Sequence, residues 1–406
     1  MIAPTAPEGR VSAARLVEPR TVAYVGIGLA IFATLIALPP IKLREPWWPV
    51  AVGILAIAAG IWATTREERK LGLTAVVAGL LGITLGVSAT ASSVEHLDIV
   101  FVWSALIAST LRYATPLTFA AIGGMFSERS GVVNIGLEGQ MLMGAFFGIW
   151  GADVTDSWVL GVVIAMAAGG GLALLHAVFC IHLRADQIVI GTAINFLALG
   201  ITGYLYVDYY GDEGTPTTIP EIPDVTIPGL QDVAFLGPAF GELNFMIWLS
   251  FFVLIVSYIV MFRTPLGLRI RSVGEHPRAA DTVGISVYGI RYACVITSGC
   301  LSALGGAYLS LGVVHLFDQN LSGGRGFIAL AALIFGNWRP FGAFAAALLF
   351  GFSSALADRL PEYFAQGSSA PLLFNVLPYV LTIIAVAGVI GRSIPPAAVG
   401  RPYTKH

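Results

Sequence analysis

Few side chains in this sequence can do chemistry, and most of them lie inside or beside long apolar runs. Glu138 stands in SERSGVVNIGLEGQ, residues 127–140. A helix starting near Val132 would put Asn134, Glu138, Met141 and Ala145 on one face. A carboxylate one turn or more into lipid is costly, so Glu138 is expected to face a bundle interior or a water-filled cavity. That makes it a pathway or gating position. The alternative is a helix-end carboxylate favoured by the positive end of the helix dipole and paired with Arg129. Gln187, Gly191 and Asn195 form a second polar stripe in ADQIVIGTAINFLALG, placed either to hydrogen-bond a neighbouring helix or to line a solute path.

A third region, HLFDQNLSGGRGFIALAALIFGNW at 315–338, joins Asn320, a glycine cluster, Arg325 and a short helix ending in Asn337 and Trp338. Non-helical backbone at membrane depth is tolerated only where protein buries it or where it lines a cavity. The other reading is an external loop before a short span. A glycine-containing entry and a helix also occur at 131–148, which makes the two regions candidates for equivalent elements of an internal repeat. Ser298, Ser302, Gly306 and Ser310 repeat every four residues, with Gly299, Ala303 and Ala307 alongside, and read as a small-residue packing seam.

Several enzymatic chemistries have nothing to stand on. Lysine occurs only as Lys42, Lys70 and Lys405, none of them in GxxxxGK[ST], so this type of phosphate-binding loop is absent. There is no HExxH pair and no GxSxG elbow, and the histidines are scattered. Neither catalytic residues nor a metal-ligand set is expected. Cys180, Cys294 and Cys300 lie in or beside apolar segments without paired spacing and read as reduced packing residues.

The elements that must position these residues are membrane helices. The chain has 406 residues, 56% hydrophobic and 11% charged, against roughly a quarter charged in soluble domains. Apolar runs of about 20 residues recur throughout, each long enough to cross a bilayer core of roughly 30 Å. The fold class is all-α, a polytopic helical membrane protein with about 11–12 segments including broken or half helices, and no nucleic-acid partner is indicated. Spans are expected near 21–38, 47–64, 71–88, 99–127, 133–152, 158–178, 188–207, 243–262, 291–311, 326–338, 341–357 and 371–391. The segment at 326–338 would reach only about 20 Å as a helix and reads as a half-helix. Residues 1–97 form an N-terminal extension of about three spans, 98–392 the core, and 393–406 a tail.

Charge sets the orientation. No Lys or Arg occurs between Arg184 and Arg263, and 208–242 carries Asp208, Asp212, Glu213, Glu221, Asp224 and Asp232, so that loop is expected outside. The segment 263–291, RTPLGLRIRSVGEHPRAADTVGISVYGIR, carries Arg263, Arg269, Arg271, Arg278 and Arg291 and is expected in the cytoplasm with both termini. Lys42 and Arg44 count against this scheme. Within the basic segment RAADTVG is helix-compatible, as expected of a loop that contacts a cytoplasmic partner.

Five blocks in chain order carry a family resemblance: SERSGVVNIGLEGQMLMGAFFG, ADQIVIGTAINFLALG, GEHPRAADTVGI, LSGGRGFIALAALIFGNWRPFGA and LPYVLTIIAVAG. They resemble the permease subunits of bacterial ABC importers, in the nucleoside and simple-sugar branch related to ribose and branched-chain amino acid permeases. The resemblance covers about 100–392 and leaves 1–97 outside. It implies a multi-pass protein of the bacterial inner membrane with three kinds of partner: a cytoplasmic ATPase that uses the ATP, an extracytoplasmic binding protein, and a second permease, commonly a different paralogue. The chain itself would hold no cofactor. The resemblance also implies coupling through a short helix with an EAA-x3-G-like motif, which Ala279, Ala280 and Gly284 match. Gly274, Glu275, Pro277 and Asp281 complete the block, and Arg278 stands where the family often has Glu.

The solute path is expected along Asn134, Glu138, Gln187, Asn195, Asn320, Asn337 and Asn375. Uncharged amides with Phe196, Trp338 and Tyr379 nearby suit a neutral, ring-bearing solute and favour a nucleoside. A simple sugar, and a secondary transporter using a midplane polar site, stay open as alternatives.

Overall fold

The structure is a computed structural model that describes residues 18–36, 45–66, 68–91, 103–211, 213–216, 218–231, 236–359 and 393–405. The expected span at 371–391, with Asn375 and Tyr379, lies outside the described residues. The chain divides into two compact units, one of residues 1–102 with 360–391 and one of residues 103–359 with 392–406.

In the first unit, α1 (Pro19–Leu35), α2 (Trp47–Thr65) and α3 (Arg69–Ala91) pack on one another. Small residues set the spacing. A Cβ at Gly60 would stand 2.7 Å from the Gly72 carbonyl oxygen, and one at Gly82 would stand 2.5 Å from that of Ala30. In lipid, tight van der Waals packing of this kind, rather than apolar burial, holds helices together.

The second unit is built around one enveloped helix. Its elements are α4 (Trp103–Arg129), α5 (Leu137–Thr155), α6 (Trp158–Ala177), α7 (Gln187–Tyr210), α8 (Phe245–Arg263), α9 (Pro265–Glu275), α10 (Pro277–Thr282), α11 (Val287–Tyr308), α12 (Arg325–Phe335) and α13 (Pro340–Arg359). A π-helical turn extends α11 through Val314, and 83% of an 18-residue apolar stretch of that span is buried, against 22% for the corresponding stretch of α7. The seam expected at 298–310 explains the difference. A Cβ at Gly306 would meet the Met141 carbonyl oxygen at 1.8 Å, and one at Gly299 would meet that of Gly169 at 2.4 Å, so α5 and α6 lie backbone to backbone on α11.

Eight described helices are long and apolar enough to cross a membrane. The protein is therefore a polytopic helical membrane protein. Among the described residues, strand is confined to a two-stranded antiparallel ribbon, β1 (Asp224–Thr226) with β2 (Glu242–Asn244), in the acidic segment. That ribbon and the π turn after α11 mark one end of the unit, where the Ile222 amide donates to the Leu311 carbonyl at 3.1 Å. Arg129, the α8–α11 loops and the C-terminal tail mark the other, the arginine end. The RAADT part of RAADTVG forms a short helix, α10, and Val283 and Gly284 lie in the turn after it.

One element begins later than its sequence suggests. The helix expected near Val132 starts at Leu137, because residues 130–136 are drawn into other hydrogen bonds. Asn134 therefore does not share a helix face with Glu138.

Candidate functional site: a junction of two broken spans

Two spans of the second unit are broken, and their broken ends meet. The first descends as α4, turns at Ser130, re-enters as the non-helical stretch 130–136, and rises as α5. The second leaves α11 at the acidic end, re-enters as the loop 315–324, and continues to the arginine end as α12, only 11 residues long. At 1.5 Å per residue α12 covers roughly 16 Å, half a bilayer core.

Glu138 joins the two. It lies in the first turn of α5, and its carboxylate accepts from the Ser322 hydroxyl at 2.6 Å and the Gly324 and Gly326 amides at 2.7 and 2.6 Å. The last two are orphan donors at the N-terminus of α12. One buried carboxylate thus faces the positive ends of two helices, which offsets the cost of its burial. Close approach requires Gly326, where a Cβ would stand 2.5 Å from both Cα and N of Glu138. Arg129 does not pair with Glu138. Its guanidinium instead donates to the carbonyls of Trp338 at 3.0 Å and Asn337 at 3.4 Å, so it sits at the negative end of the same half-helix. α12 is held by an acid at its head and a base at its foot, both supplied by the segment 129–138.

The non-helical stretch needs partners for its backbone because no water is available in lipid. Side chains supply them. Ser127 donates to the Val132 carbonyl at 2.7 Å, Gln187 accepts from the Val133 amide at 2.7 Å, and the buried His176 Nε2 donates to the Val133 carbonyl at 3.1 Å. Asn195 serves twice, donating to the Ile135 carbonyl at 3.0 Å and accepting from the Gly139 amide at 2.8 Å. Asn134 accepts from the Gly136 amide at 3.1 Å, and its amide nitrogen reaches Ser298 at 2.9 Å and Gln140 at 3.0 Å.

The structure thus brings four of the expected path residues, Asn134, Glu138, Gln187 and Asn195, to one junction. Each is engaged by protein. Asn320 lies on the exposed turn leading into α12, with a left-handed backbone. Asn337 lies at the opposite end of α12, where its side chain accepts from the Ile394 amide at 3.1 Å. Of the expected aromatics, Trp338 and Phe196 lie among the described residues and differ in burial. Trp338 is buried, donating through Nε1 to Glu128 at 2.5 Å, and Phe196 is exposed on the outward side of α7.

Sequence reasoning did not single out Glu128, His176, Ser322 or Gly326. The glycine cluster at 323–326 was the available signal for the last two.

The residues expected to couple divide in two. Gly274 and Ala280 are buried, with a Cβ at Gly274 placed 2.0 Å from the Arg129 carbonyl oxygen. Glu275 accepts from the Ala397 amide at 3.1 Å and Asp281 faces Lys405 at 3.9 Å. Arg278, Ala279 and Gly284 are exposed, with open space around Gly284. Val283 beside them is 74% exposed, an apolar side chain that the motif did not mark.

Discontinuous spans whose half-helix ends meet inside a bundle define a class of membrane transport proteins. A model of the family described as "Branched-chain amino acid transport system / permease component" matches residues 106–386, and the chain belongs to that family. It is 44% identical over 312 residues to the guanosine ABC transporter permease protein NupQ of Bacillus subtilis, covering 74% of this chain and 96% of that protein. The nucleoside ABC transporter permease protein NupC of Lactococcus lactis is 39% identical over 310 residues, covering 74% of this chain and 96% of that protein. A putative glucose ABC transporter permease, TsgC13 of Haloferax volcanii, is 35% identical over 284 residues, covering 69% and 85%. No solved structure matches. The chain is an ABC transporter permease and a multi-pass membrane protein, which in bacteria places it in the inner membrane.

Proposed function

We propose that the chain is the non-hydrolytic permease subunit of an ATP-driven importer and translocates a nucleoside delivered by an extracytoplasmic binding protein. The observation that carries the solute class is the match to nucleoside permeases along 96% of their length at 44% and 39% identity. The arginine end faces the cytoplasm in this reading, in keeping with retention of Arg-rich loops there. A separate ATPase docks on the exposed part of 263–291, with Arg278, Ala279, Val283 and Gly284 in contact.

Solute passes beside the junction at Glu138. Asn320 stands at its mouth, and Asn134, Gln187 and Asn195 hold its wall rather than the solute. The core at 98–392 pairs with a second permease, a different paralogue, and residues 1–97 are an added bundle. A simple sugar is the second reading, favoured by the 35% identity to the glucose permease relative.

Uptake of radiolabelled nucleosides, glucose and ribose, with and without the ATPase, tests the proposal. ATPase-dependent uptake of a nucleoside that unlabelled nucleosides compete away is the expected outcome. Sugar uptake under the same conditions would establish the second reading. Uptake that survives loss of the ATPase would overturn both in favour of a secondary transporter.

A further inference from the structure

The C-terminal tail is tied to the arginine end at every few residues. The Ile394 amide donates to Asn337 Oδ1 at 3.1 Å, that of Ala397 to Glu275 Oε2 at 3.1 Å, and that of Ala398 to the Gly274 carbonyl at 2.9 Å. The Gly400 amide reaches the Gly131 carbonyl at 3.2 Å. The Tyr403 ring packs edge-on against Tyr288 at 5.5 Å, its carbonyl accepts from the Tyr288 hydroxyl at 3.4 Å, and Lys405 faces Asp281 at 3.9 Å. The tail therefore touches three elements that are separate in sequence: the foot of α12, the turn after α4, and the loop from Gly274 to Tyr288.

Arg291 seats the tail. Its side chain is 1% exposed, and Nε donates to the Ser130 carbonyl while Nη1 donates to that of Arg401, both at 3.2 Å. The buried guanidinium is held by two backbone carbonyls, one at the end of α4 and one in the tail. Gly131 makes room for it, since a Cβ there would stand 2.8 Å from Nη2. A buried cation needs such partners, so removing the tail takes one of them away.

We propose that residues 393–405 are a coupling strap, which fixes the loop 274–291 to the foot of α12 so that a displacement of that loop moves the half-helix, with Arg291 as the positioning residue that seats it. The strap rests on the reading of 263–291 as the ATPase contact. It adds to that reading a route from the contact to the junction. A shift of Glu275 or Asp281 pulls on the tail, the tail pulls on Asn337, and Asn337 ends the half-helix whose head is fixed to Glu138. Contacts of this kind carry coupling only where both ends bias one element, and α12 is that element.

The test uses the complete transporter in proteoliposomes, with radiolabelled guanosine as the probe and ATP hydrolysis measured alongside. Variants are a chain ending at Arg392, Tyr403→Ala and Arg291→Lys, with assembly followed by co-purification of the ATPase. Assembly and basal hydrolysis are expected within about twofold of wild type, while guanosine moved per ATP falls at least about tenfold in the truncation and less in the two substitutions, in the range usual for coupling between sites. An unchanged ratio in the truncation overturns the strap. So does loss of assembly in the truncation together with an unchanged ratio in Tyr403→Ala, since the tail would then serve docking alone. A wild-type complex without ATP-dependent uptake overturns the strap and the permease reading together.

Discussion

The junction at Glu138 and the exposed part of the loop 274–291 are built on opposite principles. At the junction every donor that reaches Glu138 lies at 2.6–2.7 Å, and Gly326 brings backbone against backbone. At the loop, Val283 is 74% exposed, and Gly284 adopts a left-handed backbone with open space around it. One region spends its polar groups on itself. The other leaves Arg278, Ala279, Val283 and Gly284 exposed. The half-helix α12 is sealed at its head against α5, and its foot lies at the arginine end together with the exposed loop.

The largest effect that can break this contrast comes from Gly326→Leu. Its Cβ would overlap backbone atoms of Glu138 at 2.5 Å, and backbone cannot rotate away as a side chain can. The cost should exceed the roughly 1–3 kcal/mol usual for overpacking, with misfolding or failure to accumulate in the membrane. Normal yield and thermal stability in detergent would mean that α5 and the half-helix α12 are not in contact. Glu138→Ala comes next. It orphans three donors, each worth about 1–3 kcal/mol when left unsatisfied in a buried site, and thermal unfolding should register the loss. Glu138→Gln should be milder, because an amide oxygen still accepts at one position while its NH₂ group faces donors at another. Equal Tm values for the two variants would remove the carboxylate from its capping role.

Asn195→Ala should fall below these. Two backbone groups, the Ile135 carbonyl and the Gly139 amide, lose their partner. In membrane proteins such bonds are worth about 1 kcal/mol each or less, so a modest fall in Tm is expected with uptake largely retained. Abolished uptake at unchanged stability would instead assign Asn195 to the solute.

The ease of reading this molecule from its sequence follows the physics of each region. Helices come through because apolar length is a composition signal, and α2 and α6 begin where hydropathy places them, at Trp47 and Trp158. The seam from Ser298 to Ser310 was legible because only small residues allow backbones so close. The helix start at Leu137 was not. What delays it is His176, Gln187 and Asn195 reaching across from α6 and α7, and no local pattern records a partner 40 to 60 positions away. Glu138 was visible as a costly charge, but its two candidate roles differed only in what lay opposite it. Glu138 does stand at a helix end, and what lies opposite it is the N-terminus of α12 in place of Arg129. Asn337 shows the same limit. Nothing local to an amide at the end of an apolar helix records the Ile394 amide that donates to it from the tail.

The smallest expected change in stability, and the sharpest test of the contrast, lies at the loop. Arg278 makes no described hydrogen bond, so Arg278→Glu should leave stability within about 0.5 kcal/mol of wild type, as surface substitutions do. Gly284→Trp adds a backbone term, because φ is +83° there and a residue with a Cβ costs about 1–2 kcal/mol in that region. Gly284→Ala carries the same backbone term without the bulk, and it serves as the control. If the loop is a contact surface, Gly284→Trp and Arg278→Glu should each cut ATP-driven uptake far more than Gly284→Ala does, while membrane insertion stays intact. A parallel loss in all three would trace to the backbone at Gly284 and to general charge effects. Full transport in both Gly284→Trp and Arg278→Glu would leave the exposed face of the loop without a partner. The division between a sealed junction and an offered surface would then rest on burial alone.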